Sequence, residues 1–257
     1  MKIEKMKKLV RTVIKSVEKN TAIYQLALKV RGRINRFLKP ASAYWTPVKN
    51  NTKPLSVKYG IDRGLPIDRF WIEKFLNKNK KLIRGRCLEI GSDSYTKNFG
   101  SKKVNKIDVL DINEENSHAN IYGDLKNLKS EIKDETYDCV ILTHVLGLID
   151  DVDSAVSELK RITKESGVVL VTSACISPTY GDAKNYWRIL PEGATYLFGK
   201  YFGKGNVSVS SYGNVLAGQC FWVGMSQEEL TRGQLNYNDP RFPCIVSVRA
   251  IKNINYE

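Results

Sequence analysis

Arg86-Cys87-Leu88-Glu89-Ile90-Gly91-Ser92-Asp93 is the stretch on which the fold turns. Its apolar part is short, has strand length, and closes on an acid and a glycine. Glycine at such a strand end lets the backbone approach a ligand, with the N–H groups of the turn facing it. The Glu89 carboxylate there organises either a cationic ligand or the turn itself. The same shape recurs along the chain. Val104–Ile112 reads as a second strand, Ala119–Tyr122 as a third, Tyr137–Leu142 as a fourth and Gly167–Thr172 as a fifth. Between and around them lie helical patterns: Ile67, Phe70, Trp71, Lys74 and Phe75 in a segment opened by Pro66, and Val152, Ala155, Val156, Leu159 and Ile162. Strands that alternate with helices and are apolar on both faces predict an α/β fold, its parallel sheet covered on both sides. Pro191–Phe202 reads as a further helix. Asn206–Tyr212 and Cys244–Ala250 read as late strands forming a hairpin-like antiparallel edge.

An open parallel sheet binds its ligand at the carboxyl ends of the strands, at the switch point. Three carboxyl ends here are acidic or glycine-rich. About twenty residues beyond Gly91 the second strand ends at Asp111, where a carboxylate accepts from a ribose diol. Such a charge-assisted bond is worth about 1.5–3 kcal/mol. Gly123-Asp124 closes the third strand, where a carboxylate accepts from an adenine amino group. Taken singly, Gly91 is a turn residue, Asp111 a solvated strand end and Asp124 a helix cap. Together, at successive strand ends, they point to an adenosyl ligand. A pyrophosphate-bearing dinucleotide requires G-x-G-x-x-G, and here Asp93 stands where the second glycine would be. A carboxylate repels a pyrophosphate and tolerates a positive sulfonium, which turns the balance toward S-adenosylmethionine (SAM).

Several of these segments resemble a class I, type-11-like SAM-dependent methyltransferase. They are Arg86–Gly91, Asp111-Ile112-Asn113, Ile121–Leu125, Tyr137–His144 and Gly167–Thr172. The resemblance runs from about residue 60 to residue 251. It implies a Rossmann-like, seven-stranded, mostly parallel sheet with an antiparallel last strand, and SAM held through Glu89, Gly91, Asp111 and Asp124. Their neighbours Ser92, Ile112, Gly123, Leu125 and Thr143 complete the expected cofactor set, and Asp108 stands as an alternative to Asp111 at the ribose. Two departures mark the chain: Asp93 for the second motif glycine, and Ser166-Gly167 where Pro-Gly is usual. Asp62–Arg69, Tyr95-Thr96 before Phe99-Gly100, Tyr186-Trp187-Arg188 with Pro191-Glu192-Gly193, and Tyr212–Leu216 resemble a bacterial subgroup associated with glycosyltransferases and surface-polysaccharide assembly. That resemblance implies a sugar or glycan hydroxyl as acceptor and a glycosyltransferase as partner.

Methyl transfer to a hydroxyl needs a group that takes its proton. His144, just after the fourth strand, is the first candidate base and Asp182 the second; the plain alternative for His144 is packing or capping. Tyr186, Trp187 and Arg188 follow the fifth strand, where rings stack on sugar faces and a guanidinium forks a phosphate. Tyr212 and Asn214 are further candidate acceptor contacts, with Asn214 equally readable as the cap of a strand-to-helix joint. Arg63 and Asp68 are read as part of a lid or as a plain helix start.

Charge separates the chain into regions. Residues 1–40 carry 12 Lys/Arg against 2 Asp/Glu, and the remainder 29 against 25, out of a total net charge of +14. The basic character therefore belongs to an arm, which argues against a nucleic-acid enzyme with a basic groove in its body. The expected organisation is a basic amphipathic helical arm at 1–39, a linker or lid at 40–65 and a methyltransferase domain at 66–257. Ile3, Met6, Leu9, Val10, Val13, Ile14 and Val17 recur at helical spacing among lysines. Two readings stand side by side: residues 1–38 lie on an anionic inner-membrane surface, or they pack on protein. The absence of any apolar run near 20 residues gives no spanning helix. Five scattered cysteines without a CxxC read as reduced core thiols in a cytoplasmic protein, and no metal-ligand spacing is present. Two rivals to the glycan methyltransferase remain at this level: an RNA methyltransferase tethered by its arm, and a SAM-binding scaffold without turnover.

Overall fold

The computed structural model describes residues 2–17, 21–38, 52–100, 102–179, 181 and 184–253. The chain divides into two compact units. One comprises Ile72–Cys175, Thr179–Ser211 and Ile245–Glu257; the other comprises Met1–Trp71, Ile176–Pro178 and Tyr212–Cys244.

The first unit holds a seven-stranded sheet. Its strands are β1 (Gly85–Ile90), β2 (Val104–Asp111), β3 (Ile121–Tyr122), β4 (Tyr137–Thr143), β5 (Thr163–Ala174), β6 (Val207–Tyr212) and β7 (Ile245–Ile251), in the order β3-β2-β1-β4-β5-β7-β6. β1 pairs in parallel with both β2 and β4, so the chain reverses its direction of winding there. That is the switch point at which open α/β sheets bind ligands. β7 is antiparallel to β5. β6 and β7 are neighbours as expected, but they are separated in sequence by residues 213–244. The fold is thus the Rossmann-like methyltransferase architecture, with N-terminal helices added.

Burial explains why these runs are strands. Leu88, Val140, Leu142, Val169 and Val171 pack one sheet face against helix Val152–Ile162 and helix Pro191–Phe202, whose Val156, Leu159, Phe198 and Phe202 are buried with them. Each such side chain stabilises the fold by about 1.5–3 kcal/mol relative to exposure. Alternate residues Cys87, Cys139 and Ile141 are buried as well, so a period-two alternation with a polar face never develops. Helix Val152–Ile162 is capped by Asp151, whose Oδ1 accepts from Ser154 N at 3.0 Å. All five cysteines are free and buried. Cys87 and Cys139 face each other across β1 and β4, and their contact together with burial holds the Cys139 thiol well above its ordinary value.

The second unit is built on helices α1 (Lys2–Ser16) and α2 (Ala22–Leu38). Val10, Val13 and Ile14 of α1 pack with Ala27, Val30 and Ile34 of α2. α2 is in turn bonded to residues 52–66: Asn35 Nδ2 donates to the Arg63 carbonyl at 2.7 Å and Arg31 donates to that of Ile61 at 3.2 Å. Residues 52–66 are held by the 223–229 segment through Leu55 N to Val223 O at 2.8 Å and Gln227 N to Leu65 O at 2.8 Å. Arg63 forks the buried carboxylate of Glu229 with two donors. Asn214 caps helix Val215–Trp222, and a Thr231–Gln234 capping box opens helix Arg232–Asn236. Among the described residues no helix is long and apolar enough to cross a membrane.

Candidate active site

The tip of β1 is shaped by its own carboxylate. Glu89 is buried; its Oε1 accepts from Tyr95 N at 3.0 Å and its Oε2 from Thr96 N at 2.7 Å. It thereby satisfies N–H groups at the start of helix Ser94–Phe99, which Asp93 leaves uncapped. Of the two roles open to Glu89, the geometry gives it the turn. Burial pushes its pKa up to about 7, against the two N–H donors, and the nearby Asp93 charge adds to the rise. Asp93 sits at φ −103°, an ordinary backbone conformation, and pairs with Lys97 at 2.6 Å. The second motif glycine is therefore dispensable in this turn. Ser92 exchanges a hydroxyl bond with Ser94 at 3.0 Å.

Gly91 is different. Its φ is +80°, the left-handed region that favours glycine, and its N–H donates to the Leu110 carbonyl at 2.9 Å. A Cβ built at Gly91 meets only Asp111 Oδ2, at 3.9 Å. The space beside it is open, which is what a ligand lying across the β1 and β2 tips needs.

Asp111 ends β2 with a partly exposed carboxylate. Oδ1 accepts from Asn113 N at 2.9 Å and Oδ2 from Asn116 Nδ2 at 2.6 Å. The same Asn116 amide donates to the Gly91 carbonyl at 2.8 Å. Asn116 therefore joins the two strand tips. A carboxylate offers about four acceptor sites, so Asp111 keeps capacity for a diol after these two bonds. Asp108, the alternative, is fully buried between Arg86 Nε at 2.7 Å, Asn120 Nδ2 at 2.9 Å, Lys106 Nζ at 3.2 Å and the Tyr137 hydroxyl at 3.2 Å. These donors hold its pKa below the ordinary value despite burial. It belongs to the interior and spends its carboxylate on the protein, whereas the Asp111 carboxylate is partly exposed.

Beyond β3, Asp124 accepts from Lys126 N at 3.0 Å and stands 3.5 Å from Lys126 Nζ, which is closer to Asp150, at 2.7 Å. Ile112 is 72 % exposed, whereas Leu125 is buried in the core. Gly123 makes room for protein: a Cβ there meets Leu128 Cδ2 at 2.8 Å. The β4 tip carries Thr143, and His144 follows at φ +56° with its N–H donated to the Thr172 carbonyl at 2.8 Å. A non-glycine residue in that region is strained, by roughly 1–3 kcal/mol. His144 Nε2 is itself buried.

The candidate acceptor residues divide between the two units. Tyr186 and Trp187 dock beside the β4 loop, both backbone N–H groups donating to the Gly147 carbonyl at 2.9 and 3.1 Å. The Trp187 indole donates to the carbonyls of Ile149 at 2.9 Å and Asp150 at 3.2 Å. Both residues remain more than 40 % exposed. Arg188 donates to the Trp187 carbonyl at 3.1 Å. Tyr212 and Asn214 lie in the helical unit. Asn214 is buried and fully engaged: Oδ1 accepts from Ala217 N at 2.9 Å, and Nδ2 donates to the Gln234 and Tyr237 carbonyls, each at 2.8 Å. Asp182 lies outside the described residues. Asn116 is the residue that strand-end patterning misses, since it sits in a polar loop between two tips.

An open glycine, acceptor carboxylates at strand tips and a switch point meet at one edge of the sheet. Residues 89–171 match the model of the methyltransferase domain family. The span runs from Glu89 through the middle of β5, and so includes all three acidic tips. Residues 89–171 thus carry a methyltransferase domain. Similar solved structures include a SAM-dependent methyltransferase from Archaeoglobus fulgidus, at 17% identity and TM-score 0.49, covering 72% of this chain and 94% of that one. Another, from Thermotoga maritima, has 16% identity and TM-score 0.44, covering 72% and 94%. None of the curated proteins matches the sequence.

Proposed function

We propose that the enzyme methylates a hydroxyl of a sugar or glycan precursor of a surface polysaccharide, at the cytoplasmic face of the membrane. The observation that carries this reading is the Tyr186–Trp187 pair, two exposed aromatic residues held against the loop that follows β4. The indole N–H is committed to backbone carbonyls, which holds the Trp187 ring in place while the residue stays 46 % exposed and within reach of a sugar. Arg188 beside it suits a phosphate of an activated or carrier-linked sugar. The resemblance of these segments to the glycosyltransferase-associated subgroup supports the same acceptor, with a glycosyltransferase as the partner that makes it.

SAM held by the strand tips supplies a methyl group already activated on a positive sulfur. The tasks left to the chain are to hold the hydroxyl in line and to exclude water; orientation alone is worth up to about 7–11 kcal/mol. Asp111 positions the ribose, Gly91 leaves room at the β1 tip, and Asp124 faces the base. His144 takes the hydroxyl proton. Asp182 is the second choice.

The test is transfer of labelled methyl groups from SAM to nucleotide-activated sugars and to polyprenyl-pyrophosphate-linked saccharides, with RNA as control. Expected are glycan products, a loss of about 10²–10⁴ in kcat for His144→Ala, and a raised KM with kcat nearly kept for Trp187→Ala. Label on RNA with steep salt dependence, and none on glycans, overturns the reading.

A further inference from the structure

The strongest unassigned feature is the outer face of the α1–α2 pair. Ile14 of α1 and Val17 just beyond its end pack near Tyr24 and Leu28 of α2, while Val10 packs with Ala27 and Ile34. Contacts that spread apart in this way along the two helices make an antiparallel hairpin. Lys7 and Arg11 of α1 share a cavity of about 300 Å³ with Arg31 and Asn35 of α2, which places those four on one flank of the helix–helix seam. At 100° per residue, Met6, Leu9 and Val13 lie on the other side of α1's contact line. Ile23, Leu26 and Val30 occupy the corresponding side of α2. The two sets therefore form one strip along the hairpin, opposite the cavity.

Among the described residues, the large apolar side chains of that strip are exposed. Leu9 is 65 % exposed, Leu26 62 %, Ile23 59 % and Met6 44 %. Exposed large apolar side chains spaced by three and four on two adjacent helices are not scattered surface residues; they make a contiguous patch, which marks an interaction site. The patch is edged by the exposed Lys5, Lys8, Lys29 and Arg33. Residues 5–17 and 21–35 hold eight basic residues and no acidic one. A protein partner would need an acidic rim around a complementary groove. An anionic bilayer presents both requirements at once, apolar depth and negative headgroups, with no fixed shape.

We propose that the α1–α2 hairpin is a monotopic membrane dock, with Met6, Leu9, Ile23 and Leu26 inserted below the headgroups of an anionic phospholipid surface and Lys5, Lys8, Lys29 and Arg33 at the phosphates. This deepens the membrane-face part of the proposed function, and it does not require methyl transfer.

The experiment is co-sedimentation of the full chain with vesicles of phosphatidylcholine containing phosphatidylglycerol, and with phosphatidylcholine alone. The wild type partitions to the mixed vesicles and only weakly to the neutral ones. Leu9→Glu/Leu26→Glu lowers that partition by at least ~10-fold, the direction set by buried apolar area. Lys29→Glu/Arg33→Glu lowers it too, and added salt weakens the wild type. Helical circular dichroism and SAM binding identical to wild type certify that both variants fold. The idea is overturned by wild type that stays in the supernatant, or by partition that neither variant alters. It is equally overturned by a wild-type dimer at micromolar concentration that Leu9→Glu/Leu26→Glu dissolves, since the strip would then belong to a second copy. Because vesicle binding is read without an acceptor, its failure leaves glycan methylation standing, and failure of glycan methylation leaves the dock standing.

Discussion

Two aspartates three residues apart on β2 sit in opposite settings. Asp108, in mid-strand, is enclosed by two cations, an amide and a phenol, and spends its carboxylate on the protein. Asp111, at the tip, is partly exposed and, among the described residues, bonded to Asn113 N and Asn116 Nδ2. The residue type is the same; position along the strand decides whether the charge holds the fold or waits for a ligand. The middle of a parallel sheet is dry, and a charge there survives only with partners. The carboxyl end opens to solvent and to the switch-point crevice.

The largest effect is expected from Asp108→Ala. Removing Asp108 leaves the Tyr137 hydroxyl and the Asn120 amide without their acceptor, at about 1–3 kcal/mol each, while Arg86 and Lys106, both more than a third exposed, turn to solvent. Urea denaturation should register a loss of that order, while the folded fraction binds SAM nearly as wild type does. A stability change under about 1 kcal/mol would mean that Asp108 does not hold the fold.

Asp111→Ala should do the reverse. Calorimetry with SAM should show affinity reduced by roughly 10–100-fold, the equivalent of 1.5–3 kcal/mol for a charge-assisted bond, with stability close to wild type. Asn116→Ala should give a smaller loss of the same kind, since it fixes Asp111 against Gly91 without needing to touch the ligand. Unchanged SAM affinity in Asp111→Ala would erase the distinction between the two aspartates.

The smallest effect concerns Glu89, a third carboxylate whose role lies between those two. Its folded pKa is about 7 against an ordinary 4.5. Between those values the folded state keeps a proton that the unfolded chain has lost, so this group's contribution to stability is present below about pH 4.5 and is lost as pH rises through 7. Glu89→Gln removes that dependence. Thermal midpoints at pH 5 and pH 8 should therefore lie closer together in the variant than in the wild type. Glu228, raised to about 7 by burial in the other unit, keeps part of the slope in both proteins. An equal separation of midpoints in variant and wild type would deny Glu89 its buried titration.

Much of the sheet is legible from burial periodicity. Runs such as Cys139–Leu142 are apolar on both faces, and helix Val152–Ile162 shows its stripe at three and four; both match the observed elements. Helix Ser94–Phe99 is not legible that way. Its sequence, Ser-Tyr-Thr-Lys-Asn-Phe, has no stripe, and its N-terminal donors are satisfied by Glu89 from the preceding strand, a tertiary contact that no local pattern encodes. Helix Arg232–Asn236 is short, but the Thr231–Gln234 spacing is a capping-box signal that locates it. The extension of β5 back to Thr163 crosses a register shift and the left-handed Ser166, where alternation breaks. At the site, the acidic tips are readable because strand ends are. The bridge of Asn116 is not, because a loop amide finds its partners only after two strands have been brought side by side.

The five buried cysteines have a practical consequence. With every thiol enclosed, two of them facing each other across paired strands, alkylating reagents reach sulfur only when the native packing opens. The rate of thiol modification in the unaltered protein thus becomes a clock for that opening. A lone cysteine introduced on an exposed helical turn would take up a fluorophore or spin label by itself, with the native sulfurs silent in the background.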